Sequence, residues 1–182
     1  MEQEYPWYSV VQQNEVLMQG DLIENCPVII PPNTLLEDDI PTIEINKFDV
    51  IILTQSCDLE NGKISSVLVC PYFTLQEFGN YQKFVQSTEG KEQLRRGNLP
   101  GYHLLNKFDG SAREFYDDFL VVDFRNVYGV SFSFLKEFAK GKPQRLRLLS
   151  PYREHLSQAL ARYFMRVGLP SNIPEFKKKQ QQ

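Results

Sequence analysis

Phe48-Asp49-Val50-Ile51-Ile52-Leu53 runs without a break into Thr54-Gln55-Ser56-Cys57-Asp58, and a second apolar stretch, residues 64–72, follows a short polar loop. The continuous apolar, largely β-branched run at 50–53 predicts a strand buried on both faces. Asn61-Gly62 is a strong turn dipeptide, so the economical reading is an antiparallel hairpin whose return strand, residues 64–70, ends at Pro71. Gln55, Ser56, Cys57 and Asp58 at its tip would gather an amide, a hydroxyl, a thiol and a carboxylate. No other segment sets so many functional groups against an apolar scaffold.

Before the hairpin, residues 8–11 have strand character and Gln19-Gly20-Asp21 reads as a turn opening a strand over 22–30. Pro27 cannot donate to a ladder, which predicts an edge or an interruption there. The acidic run Glu37-Asp38-Asp39 reads as a solvated loop. After the hairpin, Leu75, Phe78, Tyr81, Phe84 and Val85 fall at helical spacing within 74–87. Residues 92–96 continue helically until Gly97-Asn98-Leu99-Pro100-Gly101, and strands are predicted at 102–105, 119–124 and 145–149. The last of these alternates basic and apolar residues, the period of a half-exposed strand. A short helix is predicted at 134–139. The final helix takes Ser150 as N-cap and Pro151 as its first residue. It carries the apolar stripe Leu156, Leu160, Tyr163, Phe164 and Val167, and ends at Gly168.

The fold class these elements predict is α+β: a small, bent antiparallel β-barrel, SH3-like, with inserted helices and a C-terminal amphipathic helix. A chain of 182 residues predicts a single domain, here 1–176, followed by a disordered basic tail at 177–182. No apolar run reaches the ~18 residues of a membrane span, and the N-terminal residues lack the pattern of a signal peptide. A cytoplasmic protein is expected. Cys26, Cys57 and Cys70 are widely spaced with no Cys-x-x-Cys pair, which predicts reduced thiols, no structural metal and no cofactor.

The net charge of −3 conceals a split. Residues 1–60 hold 12 acids against one base, Lys47, leaving 11 acids and 19 bases for the rest. The two parts either pair internally or present opposed surface potentials, and the acidic part repels phosphate backbones.

Gly20-Asp21 before a strand, the buried strand 50–53, the return strand Val67-Leu68-Val69-Cys70-Pro71, the strand Val121-Val122-Asp123 and a closing helix resemble, in that order, the compact barrel of the PemK/MazF toxin family. The resemblance spans roughly residues 17–165, with insertions at 31–47 and 74–118. It implies a metal-independent, sequence-specific endoribonuclease of bacterial toxin type, possible dimerisation and an RNA substrate. The family's arginine before the central strand falls here at Lys47-Phe48-Asp49, with no arginine or proline, and its hydroxyl residue falls at Phe73 or Thr74. Lys47 and Thr74 are the residues the resemblance would make catalytic, with Arg96 a further candidate. A lysine lacks the bidentate fork that an arginine offers a phosphorane-like charge.

The residues themselves allow other chemistry. Cys57 becomes a nucleophile if His103 favours its thiolate, although Asp58 beside it opposes that. Arg95-Arg96-Gly97-Asn98 has the composition of an anion cradle, arginines for bidentate contact and glycine for close approach, or of a solvated basic helix end. His155 reads as a surface residue of the last helix. Arg145 and Arg147 lie two apart on one strand face, where they could track a phosphate chain or simply face solvent. The leading expectation is a non-catalytic interaction module that binds a protein partner or a small anionic ligand. Gln55, Ser56 and Asp58 would form one wall of its site, and Arg95, Arg96 and Asn98 would fold over them.

Overall fold

The computed structural model describes residues 5–32, 43–108, 110 and 117–165. The acidic run 37–39, the helix end at Gly168 and the tail 177–182 lie outside the described residues. The fold is α+β, with mostly antiparallel strands and, among the described residues, five α-helices.

The central strand is β3, Glu44–Ile52. Side chains alternate across a strand, so Ile51 enters one hydrophobic cluster while Val50 and Ile52 enter another. All three are fully buried, as a strand covered on both faces requires. β3 begins well before the apolar run, because Glu44 to Lys47 pair with Ile30 to Pro27 of β2, Leu22–Ile30. β2 passes through Pro27 without ending. Its irregularity is a bulge between Ile23 and Cys26, where Asn25 takes a positive φ of 53°.

β4, Ser66–Thr74, returns antiparallel beside β3, with Val50 opposite Pro71 and Ile52 opposite Val69. The hairpin tip differs from expectation: residues 56–61 form a short helix, α1 (Ser56–Asn61), and Gly62 is its left-handed C-cap at φ 61° rather than part of a β-turn. β4 then bends, and its other edge serves two strands. Ser66 to Val69 pair with β7, Tyr128–Ser131, and Tyr72 to Thr74 pair with β6, Leu120–Asp123. β5, Tyr102–Leu105, lies outside β6. α2 (Leu75–Tyr81), a 3-10 turn (Lys83–Gln86) and α3 (Thr88–Arg95) stand between β4 and β5, where the sequence predicts one or two inserted helices.

β1, Tyr8–Gln12, and β8, Gln144–Leu148, form a second, two-stranded sheet. The two sheets meet at Gly20-Asp21. Gly20 N–H donates to Ile52 O at 2.9 Å, Leu148 N–H donates to Gly20 O at 2.9 Å, and Asp21 bridges to Arg147. Gly20 has φ 84°, and a Cβ there would sit 3.0 Å from the Leu148 Cβ, so the seam requires glycine. Among the described residues the hydrogen-bonded strands therefore make two joined sheets that do not close into a barrel.

Arg145 and Arg147 overturn the half-exposed reading of β8. Both point at Asp21, which is fully buried: Arg145 Nε lies 2.8 Å from Oδ2, and Arg147 Nη2 lies 3.0 Å from the same oxygen. Further guanidinium N–H groups donate to the carbonyls of Gln12, Glu15 and Val16. The cluster ties the acidic first part of the chain to the basic last part.

α4, Phe132–Lys140, starts two residues earlier than predicted, with Ser131 Oγ accepting from the Phe134 N–H. α5, Tyr152–Phe164, lays Leu156, Leu160 and Tyr163 on the first cluster. Pro151, rather than Ser150, holds the N-cap position, without a side-chain cap. Trp7 stacks on Tyr152 at 3.6 Å between centroids. Among the described residues no helix is long and apolar enough to cross a membrane.

Candidate functional site

The 55–58 tip is held by hydrogen bonds that converge on Gln19. Its backbone N–H donates to Ser56 Oγ at 3.1 Å, and its side-chain amide donates to Leu53 O and to Ser157 Oγ on α5, both at 2.9 Å. Thr54 Oγ1 accepts from Leu68 N–H, pinning the segment to β4. Cys57 is exposed, with Sγ 3.8 Å from Gln55 Oε1 and 3.9 Å from Asp58 Oδ1. Gln55, Ser56 and Cys57 line a depression of about 430 Å³ with Gln19, Arg153, Glu154, Ser157 and Gln158.

The arginine segment is the end of α3. Gly97 N–H donates to Leu94 O and Asn98 N–H to Gln93 O, and Gly97 is left-handed at φ 69°. That pairing is the Schellman closure of a helix, which only glycine makes without strain. Glu92, one turn earlier, accepts from Arg95 Nε and Nη2 at 2.7 and 2.6 Å and from Arg96 Nε at 2.7 Å. These hydrogen bonds pull the Glu92 carboxyl down to about 2 and raise the Arg95 guanidinium further. Asn98 donates its side-chain amide to Gln93 Oε1 at 2.7 Å.

Arg95, Arg96 and Gly97 border a second depression of about 350 Å³, completed by Leu94, His103, Leu104, His155, Gln158 and Arg162. His103 rises from β5 and stacks on Phe124 at 6.2 Å. Burial first, then the neighbouring His155 and Arg162, push its imidazole down to about 4, so it is neutral at pH 7. The lining holds three guanidiniums and two imidazoles, and no carboxylate.

α5 lies between the two depressions. Arg153, Glu154 and Ser157 face the tip, His155 and Arg162 face the arginine segment, and Gln158 belongs to both. The arginine segment therefore flanks the tip across a helix and does not roof it. Among the described residues no hydrogen bond joins Cys57 to His103, and no ion pair joins Asp58 to Arg96. No family model and no curated protein matches this chain.

Lys47 stands exposed on β3 opposite Pro27. Thr74 is the N-cap of α2: its Oγ1 accepts from Glu77 N–H at 3.1 Å and donates to the Glu77 carboxylate at 2.8 Å, a closed capping box. His155 and Arg162 belong to the cationic depression although His155 reads as a surface residue in the sequence. Their spacing with Gln158, three and four residues apart on the helix face away from Leu156 and Leu160, is the signal that puts them on one flank.

Proposed function

We propose that this protein is a non-catalytic binding module for a small anionic ligand, held in the depression between the end of α3, β5 and α5. The observation that carries this reading is the composition of the lining: Arg95, Arg96 and Arg162 with His103 and His155, and no acidic side chain among them. Guanidinium groups suit planar or tetrahedral oxyanions because their N–H groups donate in pairs. Glu92 takes three of the N–H groups of Arg95 and Arg96, leaving the others for a ligand. No hydroxyl, thiol or carboxylate lines the depression to act as a nucleophile. The thiol of Cys57 lies on the other flank of α5 and is not part of this site.

The test is calorimetric titration with inorganic pyrophosphate at fixed pH and low salt. Saturable one-to-one binding is expected, weakened about tenfold or more in Arg162→Gln, the loss of one charge-assisted contact. Absence of binding by the intact chain would refute the reading.

The resemblance to the PemK/MazF family supports a second proposal, a metal-independent endoribonuclease of the cytoplasm with Lys47 and Thr74 at its centre. The pairing of β4 with three strands and the Tyr8 hydroxyl donating to Asn106 O at 2.6 Å, contacts within and between the two open sheets, support this reading. The engagement of Thr74 in a cap weighs against its catalytic use. Cleavage of single-stranded RNA in chelator, lost in Thr74→Ala, would favour this second proposal over the first.

A further inference from the structure

The cationic depression contains a half-buried imidazole beside His155 and Arg162 of α5, and that arrangement constrains what an anion does on arrival. We propose that the depression selects divalent oxyanions and that each one bound brings a proton onto His103. This rests on the anion-binding reading above and specifies its ligand class and its regulation.

The groups facing His103 come from every element packed around it. Arg95 and Arg96 stand at the end of α3, with Glu92 bound behind them. His155 and Arg162 project from α5. On β6, Val122 is its partner across the ladder, and the nearby Asp123 carboxylate is occupied by Arg125 and Asn126. Tyr102 beside it on β5 lies under the Arg125 guanidinium at 4.6 Å. The site thus presents positive charge to His103 from α5, with the α3 guanidiniums paired to Glu92 at the rim, and the nearby acid on β6 is paired with Arg125.

A proton on His103 is disfavoured while the depression is empty, for two reasons: loss of solvent and repulsion by His155 and Arg162. A divalent oxyanion reverses the second and offers the ring an acceptor. The imidazolium is then stabilised by the ligand, and linkage requires that protonation strengthen binding by the same factor. A singly charged anion supplies half of that attraction, which is why the site discriminates by charge. The sign is fixed: affinity rises as pH falls below neutrality and levels off once the empty site also holds the proton, near pH 4.

Sulfate is the appropriate probe because it keeps its double charge throughout this range, so any pH dependence belongs to the protein. Titration of the intact chain in two buffers of different ionisation enthalpy counts the protons. The expected result is close to one proton taken up per sulfate at pH 5 and near none at pH 8. Over the same interval affinity should rise about tenfold, the effect of a group moved by roughly two units. Nitrate should bind weakly and with little uptake. His103→Asn and His155→Asn should each weaken sulfate binding, since both line the depression, but at saturating sulfate only His103→Asn should lose the proton uptake. Sulfate binding without proton uptake, or uptake that vanishes in His155→Asn, would overturn the proposal and leave the anion site standing. No binding of sulfate or pyrophosphate by the intact chain would overturn both.

Discussion

Arg145 and Arg147 share the carboxylate of Asp21 much as Arg95 and Arg96 share that of Glu92, yet the two clusters have opposite surroundings. In the first, Asp21 and Arg145 are 0% and 3% exposed, and the acid and bases are more than 120 residues apart in sequence. In the second, Arg95 and Arg96 are 65% and 60% exposed and lie within one turn of their acid. Water and local chain geometry make the outer cluster cheap to rearrange. The inner cluster has neither, so removing one member strands a charge in the core. The comparison teaches that an arginine pair read from sequence becomes scaffold or binding surface according to where its acid sits.

The contrast breaks first, if it breaks, at Asp21. Asp21→Ala is expected to lower stability by about 3–5 kcal/mol, read from urea denaturation, because two guanidiniums lose their acid in a dry site. A loss below ~1 kcal/mol would put the inner cluster in the same class as the outer one.

His103 lies between these extremes. Its folded-state pKa, about 4, is below the 6.5 of an exposed histidine, so the unfolded chain binds the proton better. Its contribution is intact above pH 6.5 and is lost as pH falls toward 4, by roughly 3 kcal/mol at full protonation. Comparing denaturation of the wild type and His103→Asn across pH 7 to 4 isolates that loss, and parallel profiles would show that the ring is not shielded from water. Thr74→Ala should cost ~1 kcal/mol, the usual worth of an N-cap, and an unchanged midpoint would detach Thr74 from α2. The smallest effect is expected of Glu92→Gln. It should leave the urea midpoint where it is and tighten pyrophosphate binding a few-fold by releasing guanidinium N–H groups, and weaker binding would make Glu92 an essential clamp.

Much of the fold was legible in residues whose environment is set locally. The stripe Leu156, Leu160 and Tyr163 fixed α5, and the β-branched run Val50 to Ile52 fixed the doubly buried strand. What escaped depended on distant partners. The start of β3 at Glu44 carries no apolar period, since its pairing with β2 is largely exposed. Gly62 after Asn61 has the same appearance in a β-turn and at a helix C-cap, and only the Leu59 carbonyl that its N–H meets decides between them. Arg145 alternating with Leu146 looks half-exposed until Asp21 is placed beside it. For the candidate site, Arg95, Arg96 and His103 were singled out and do share a depression, while Gln55, Ser56 and Cys57 line its neighbour. Helix α5 stands between them, and nothing in the 95–103 or 55–58 segments announces it.

The seam at Asp21 has a consequence for the order of events during synthesis. An emerging chain of 140 residues would already contain both strands of the central pairing and the acid at their edge, but neither counter-ion, which enter only at Arg145 and Arg147. Contacts of such long sequence separation form late and slow the passage to the native state. A ribosome stalled before Arg145 would therefore hold a nascent chain in which β1 lacks its partner strand β8, open to proteases at residues that the folded structure buries.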